Sequence, residues 1–514
     1  MCQTACREGA CAVGRRVSLA LHVDPKTIPS SSSAISPNSC DPLVRSLPSE
    51  WTPEFCFQRL SSLPGCVWLD SSRTSPHLGR YSYLAADPFA TLRIDKPQRD
   101  PLHTVAAFLD RFRQPLIPGL PPFQGGWMGW FGYELGRCFE SLPLFRYNEF
   151  QLPLAELGLY DVVLAWDHSS GRGWIISQGW PKREQARRER AAYRRMQKFL
   201  RILEATDEER SQLVPPRLGS TSYPLPMKRL APQHATRWSH RWTSNFSSAG
   251  FRDAIARAIE YVHAGDLFQV NLAQRLMHAA VCSSAELALH LRKKNPAPFA
   301  GYADFGRVQV ISSSPERFLT LQNRLVESRP IKGTRPRMSD PIADQAIGQL
   351  LLESEKDRAE NVMIVDLMRN DLSRVAHADS VRVTQLCGLE GYRYVWHLVS
   401  AVQAELAASY RDVDLLTAAF PGGSITGAPK IRAMEVIAEL EPTARGPYCG
   451  SLGYINSAGD MDLNILIRTV TACDGWWQVP VGGGITAESN PIMEEQETWH
   501  KAEGILRAID QLIP

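Results

Sequence analysis

The sequence predicts an α+β protein, with strand-rich sheets and helices packed outside them. Three observations carry this. Short β-type runs alternate with Gly and Pro through residues 41–180, at 66–69, 90–94 and 173–176. Phe251, Ile255, Ile259 and Val262 recur at helical spacing and stop at Gly265-Asp266. Ile505, Leu506, Ile509 and Leu512 form the apolar face of a closing helix over 492–512. The 514 residues are 44% hydrophobic and 22% charged, which excludes a largely disordered or fibrous chain. No apolar run approaches the ~20 residues that cross a bilayer, so no membrane association is expected.

The elements follow in order. Residues 1–40 end in a Ser/Pro-rich stretch and read as a flexible leader. Region 41–180 reads as a large antiparallel sheet and contains the Gly/aromatic cluster FQGGWMGWFGYEL at 123–135. Region 181–243 holds a basic helix and a Pro-rich linker, and 244–514 is a further unit. Within it, strands are expected at 268–271, 308–312, 318–321, 451–455 and 463–470. Helices are expected at 341–370 and 428–440.

Net charge is +3, and residues 181–201 alone carry nine Lys/Arg against two Glu, or +7, leaving −4 elsewhere. A nucleic-acid binder spreads basic residues over a whole face, so no nucleic-acid partner is expected. Tyr193, Met196, Leu200 and Leu203 give that helix an apolar stripe, with arginines on the solvated side. Eleven scattered cysteines suggest no disulfide scaffold, and Cys2, Cys6 and Cys11 lack the fourth ligand of a zinc site. With no export signal, the expected compartment is the cytoplasm.

Candidate chemistry concentrates after residue 244. Asp357 and Glu360, and Glu494 and Glu497, are acidic pairs three apart on predicted helices, so each pair shares a face. Two facing pairs would bind a hard cation such as Mg²⁺ together with an anionic substrate; acids early in a helix also simply complement its dipole. PGGSITGAPK (421–430) and VGGGIT (481–486) offer backbone N–H groups to an anion, or are tight turns. Arg468, alone among apolar neighbours, needs a bound carboxylate or an internal partner. Lys332, in RPIKGTR, is a solvated loop lysine or, if desolvated and crowded by Arg329 and Arg335, a nucleophile. Glu316, in SSPERF, is a surface acid or a buried proton donor.

GDLFQVNLAQR, SSPERF, RPIKGTR, KDRAENVMIVDLMRNDLSRV, PGGSITGAPK, GYI, LNILIRT, GGGIT and EEQETWHKAEG follow one another in this chain. In that order they resemble the chorismate-utilising enzyme family, strongly over 244–512 and weakly through GRYSYLAADPF and FQGGWMGWFGYEL. The resemblance implies large antiparallel sheets packed face to face. It also implies chorismate as substrate and Mg²⁺ held by Glu360 and Glu497, with Glu494 and Asp357 acting directly or through water. Tyr454 and Arg468 match residues that hold the pyruvyl carboxylate. Gln269, Thr334, His397, Thr426, Gly482, Gly483, Gly484 and Lys501 match the substrate pocket. VWLDS (67–71) loosely resembles the family's tryptophan-pocket motif.

Water-using members carry a lysine where this chain has Gln269, so the resemblance implies an ammonia-using member. Those aminating C2 have alanine in place of Lys332, so the expected reaction is amination of chorismate at C4, on the folate route, with Lys332 as nucleophile and Glu316 as acid. The alternatives are C2 amination in tryptophan biosynthesis and a non-catalytic chorismate- or tryptophan-binding regulatory module. No Gly-x-Cys-x-Gly nucleophile elbow occurs, so ammonia is expected from a separate glutamine amidotransferase subunit.

Overall fold

The computed structural model describes residues 41–72, 79–213, 224–391 and 395–512. The leader with Cys2, Cys6 and Cys11, and linker residues 214–223, lie outside them. Among the described residues, thirteen strands form one sheet and ten a second. Both recruit strands from before residue 180 and after 244. Cys66–Asp70 pairs with Phe299–Asp304 in the first, and Gly126–Phe131 pairs with Ser451–Asn456 in the second.

Alternation along the strands explains how the sheets stack. Val67, Tyr83, Val163 and Ile176 enter one core with Met128, Trp130 and Leu452 of the other sheet. Their neighbours Trp68, Leu84, Leu164 and Ile175 point the opposite way and pack with Phe57, Met196, Phe199 and Ile505. Successive side chains leave a strand on opposite faces. A strand covered on both faces therefore reads as an unbroken apolar run, as in VVLAWD. The expected α+β architecture, sheets face to face with helices outside, is the one observed.

Three elements differ from expectation. The single helix over 341–370 is two, Pro341–Glu353 and Glu355–Ser373. Ser354 breaks the run: its ψ is 106° and its hydroxyl accepts from Asp357 N at 3.3 Å, capping the second helix instead of continuing the first. The strand over 463–470 is also two. Met461–Asn464 belongs to the ten-stranded sheet and Thr469–Cys473 to the thirteen-stranded one, so the chain crosses between sheets at 465–468. The basic helix spans Gln185–Glu204. Its buried stripe is carried by Met196, Phe199, Leu200 and Leu203, whereas Tyr193 is 58% exposed. Arg195 turns inward and pairs with the buried Asp161 at 2.9 Å.

Candidate active site

Lys332 lies in the strand Ile331–Pro336, not in a loop. It pairs with Leu398 of Val395–Glu405, and Thr334 pairs with His397, with the register shifting between. Gly333, at φ 71°, takes up the extra residue. The bulge turns Thr334 toward the buried His397, whose Nδ1 is 2.9 Å from the threonine hydroxyl.

The ammonium of Lys332 donates to the Ser424 carbonyl at 3.1 Å. The Ser424 hydroxyl donates to Glu316 Oε1 at 2.9 Å. One residue of the PGGSITGAPK loop thus holds both candidate reactive groups. Glu316 is 6% exposed, and burial raises its carboxyl despite the opposing charge of Lys332. Burial lowers the Lys332 ammonium against the pull of Glu360 and Glu316, with Lys501 adding a smaller push the same way. Both shifts favour a neutral acid beside a free amine. The flanking arginines are occupied elsewhere: Arg329 pairs with Glu390 and Arg335 with Asp357. Desolvation, rather than crowding by those arginines, lowers the lysine.

The acidic pairs sit on Glu355–Ser373 and Pro491–Asp510. Glu360 is raised by burial, in the field of Lys332 and Lys356. Burial pushes Glu497 up, but Lys501, 2.7 Å away, with Lys356 and Lys332 leaves it below its ordinary value. Glu494 accepts from Ser489 Oγ at 2.6 Å and has Lys356 Nζ at 3.7 Å. Asp357 accepts from Arg335 at 3.1 Å. A Cβ at Gly483 would meet Glu494 Oε2 at 3.4 Å, Lys501 Nζ at 3.6 Å and Glu497 Oε1 at 3.7 Å. The bare glycine leaves two carboxylates one shared space. Among the described residues, no three acidic, His or Cys side chains converge into a ready-made metal cage. The carboxylates of Glu360, Glu494 and Glu497 are hard oxygen donors, the chemistry that suits a magnesium ion.

VGGGIT is strand rather than turn or loop. It lies in the strand Trp476–Ile485, where Asn271 faces Gly484 and Ala273 faces Gly482. A Cβ at Gly484 would come within 1.9 Å of Gln269 Nε2, so the glycine makes room for that side chain. Gln269 is 1% exposed, and its Oε1 is a buried acceptor without a hydrogen-bond partner among the described residues. Asn271 Oδ1 is in the same condition. Thr426 is buried beside them, but its hydroxyl donates back to the Gly422 carbonyl at 3.0 Å, shaping the loop. Lys501 donates to the Gly482 carbonyl at 3.0 Å.

A model of chorismate binding enzymes matches residues 65–507. The chain belongs to that family. Within the chorismate-binding family it is 39% identical over 472 residues to the aminodeoxychorismate synthase component 1 of Escherichia coli K12, covering 89% of this chain and 96% of that protein. It is 38% identical over 442 residues to the anthranilate synthase component 1 of Streptomyces coelicolor, covering 86% and 83%. Among solved structures of chorismate enzymes, the anthranilate synthase component I of Streptococcus pneumoniae superposes with a TM-score of 0.69 at 29% identity, covering 84% and 93%.

Tyr454, matched through the resemblance, falls apart from the Lys332 cluster. Tyr454 packs its ring against Phe123 and Tyr83, 4.8 and 5.5 Å between centroids. It lines a cavity of about 350 Å³ with Leu69, Asp70 and Ser71 of VWLDS, and none of the Lys332 cluster lines that cavity. Asp70 there accepts from Arg292 and Ser82. Arg468 is at the crossover between sheets in a left-handed conformation, φ 50°, its carbonyl accepting from Ser313. Sequence reasoning missed Ser424 and Lys356. Ser424 was visible only as a small residue in a Gly-rich loop; nothing local says that its carbonyl and hydroxyl serve two distant side chains.

Proposed function

We propose that the protein aminates chorismate at C4 with ammonia, giving 4-amino-4-deoxychorismate, the precursor of 4-aminobenzoate in folate biosynthesis. The observation that carries this is Lys332: its amine is enclosed, shifted toward the neutral form and tied through Ser424 to a buried acid. A chorismate-binding protein without chemistry needs neither group. The identities to aminodeoxychorismate and anthranilate synthase components are nearly equal, so the decision between C4 and C2 amination rests on the lysine and the resemblance that attaches to it.

In this reading the Lys332 amine bonds to C2 as the ring electrons shift and the C4–O bond breaks. The proton on Glu316 goes to the departing oxygen, which leaves as water. Ammonia then bonds to C4 and the lysine is expelled from C2. The Ser424 hydroxyl orients the acid, while Gln269 and Asn271, on the strand beside the loop, hold buried carbonyl oxygens open to a substrate donor. Glu360 and Glu497, with Glu494 adjoining, would hold Mg²⁺, and Asp357 stays with Arg335. Bound there, the ion would offset substrate carboxylate charge. Lys501, fixed by Gly482 and Glu497, places a cation beside the same space. Ammonia comes from a separate glutaminase, consistent with relatives named as component 1.

The test is turnover of chorismate with ammonium and Mg²⁺, with products resolved by mass. Aminodeoxychorismate, and a dehydrated-chorismate adduct trapped on Lys332, are expected. Anthranilate as the sole product, with no adduct, would move the protein to the C2 branch.

A further inference from the structure

Glu441 and Arg445 lie just beyond the helix Lys430–Leu440, and their side chains are 3% and 2% exposed. A fully buried ion pair is weak evidence for stability, since an apolar pair of similar volume often serves as well. What distinguishes this one is where its spare hydrogen bonds go. The guanidinium donates to Glu441 Oε2 at 2.9 Å and Oε1 at 2.5 Å. It also donates to the Ile425 carbonyl at 3.1 Å and the Asn271 carbonyl at 2.7 Å. Glu441 Oε1 in turn accepts from Ala273 N at 2.8 Å. The backbone N–H groups of Arg445 and Gly446 donate to Glu134 at 2.7 and 2.9 Å. Tyr133 stacks under the guanidinium, 4.6 Å from its ring centre.

Two of these acceptors join the Ser424 loop to the Gln269 strand, which also meet directly: Asn271 N donates to the Thr426 carbonyl at 2.8 Å, and Gln269 pairs with Ala428. Ile425 follows Ser424, the residue that holds Lys332 and Glu316. Asn271 is two residues from Gln269 on the strand Gln269–Ala279. Glu134 anchors the turn from the first half of the chain. We infer that Glu441 and Arg445 are a positioning pair whose planar fork, with those backbone bonds, sets how the Ser424 loop seats on the Gln269 strand. This deepens the proposed reaction and rests on it for its kinetic readout, but not for its chemical one. Neither residue touches substrate; both act through the backbone they hold. A lysine in place of Arg445 keeps a charge but cannot bridge two carbonyls and a carboxylate at once.

The decisive protein is the double variant Glu441→Leu/Arg445→Met, which removes both charges of the pair together. Its thermal midpoint should fall, because the Ile425 and Asn271 carbonyls and the Ala273 N–H lose their partners, so kinetics are read well below the melting transition. The kcat for chorismate should fall about 100-fold, the scale of an ångström-sized misplacement of reacting groups, with KM little changed. Independently of turnover, the rate and pH dependence of reductive methylation at Lys332, read by peptide mass, should change several-fold as Ser424 loosens. Arg445→Lys should show the same two changes, and serves alone if the double variant does not fold. Unchanged kcat and unchanged Lys332 labelling in a folded variant overturn the inference. Altered labelling alongside a wild-type enzyme that does not aminate chorismate would leave the clamp standing and remove the proposed reaction instead.

Discussion

Replacing Gly483 with alanine separates the metal site from the fold. The added methyl would lie 3.4 Å from Glu494 Oε2, 3.6 Å from Lys501 Nζ and 3.7 Å from Glu497 Oε1. These are ordinary contact distances, and Gly483 has no left-handed backbone to strain, so the stability change should stay within about 1 kcal/mol, the scale of Gly against Ala inside a strand. A magnesium ion, in contrast, must approach carboxylate oxygens to about 2.0–2.1 Å. The methyl occupies the space through which Glu494 and Glu497 would reach a common ion, and at least one loses its path. The loss should weaken Mg²⁺ about 10–100-fold, the range seen when the support of a metal ligand is disturbed. Calorimetric Mg²⁺ titration of the apoprotein and thermal melting, run side by side, give the two readouts. A Gly483→Ala protein with wild-type Mg²⁺ affinity would show that these carboxylates do not share a metal. One that melts far lower would show that the glycine is there for packing.

Four further outcomes are expected. Lys332→Ala should lose most amination at C4 and the trapped adduct; wild-type rates from that variant would refute its role as nucleophile. Glu316→Gln should slow turnover by ~10²–10⁴, the usual range for a lost general acid, and a fall of less than a few-fold would place the proton donor elsewhere. Purified protein should turn over with ammonium but not with glutamine alone, and glutamine-supported product would reveal an amidotransferase site within the chain. Glu134, raised by burial to about 7, binds its proton more tightly folded than unfolded. Its contribution to stability is therefore complete below the ordinary glutamate range and is lost as pH rises toward about 7. Melting curves across that window should show a shallower decline in Glu134→Gln, and identical slopes would contradict the shift.

The fold was legible where one strand or helix carries its own pattern. The strands around Val308 and Phe318, and the helix from Ser248, formed close to where periodicity put them. The breaks were harder to read. Ser354 stands in the polar stretch ESEKDR (353–358), which one continuous solvated helix could also carry, and its choice to cap rather than continue is settled by one hydroxyl. The crossover at Arg468 is invisible to periodicity because strands on either side are equally apolar; only their assignment to different sheets separates them. In the site, residue types were readable and partnerships were not. Lys332, Glu316 and the acidic pairs stand out by kind, while Ser424, which joins two of them, has no pattern of its own. Tyr454 shows the reverse: a motif match carried it to the pocket, and strand pairing put its ring with Tyr83 and Phe123 instead.

The interleaving of early and late strands also sets a timetable. During synthesis, Gly126–Phe131 leaves the ribosome more than three hundred residues before its neighbour Ser451–Asn456, and Cys66–Asp70 more than two hundred before Phe299–Asp304. Until those partners arrive, strands from the first half present open edges and only part of the cover their apolar faces finally receive. Pairings so distant in sequence also form slowly once the chain is complete. A ribosome-bound fragment ending near residue 240 should therefore engage chaperones and resist independent folding. Cutting the chain in the linker before translation of the second half should yield two insoluble pieces rather than two domains.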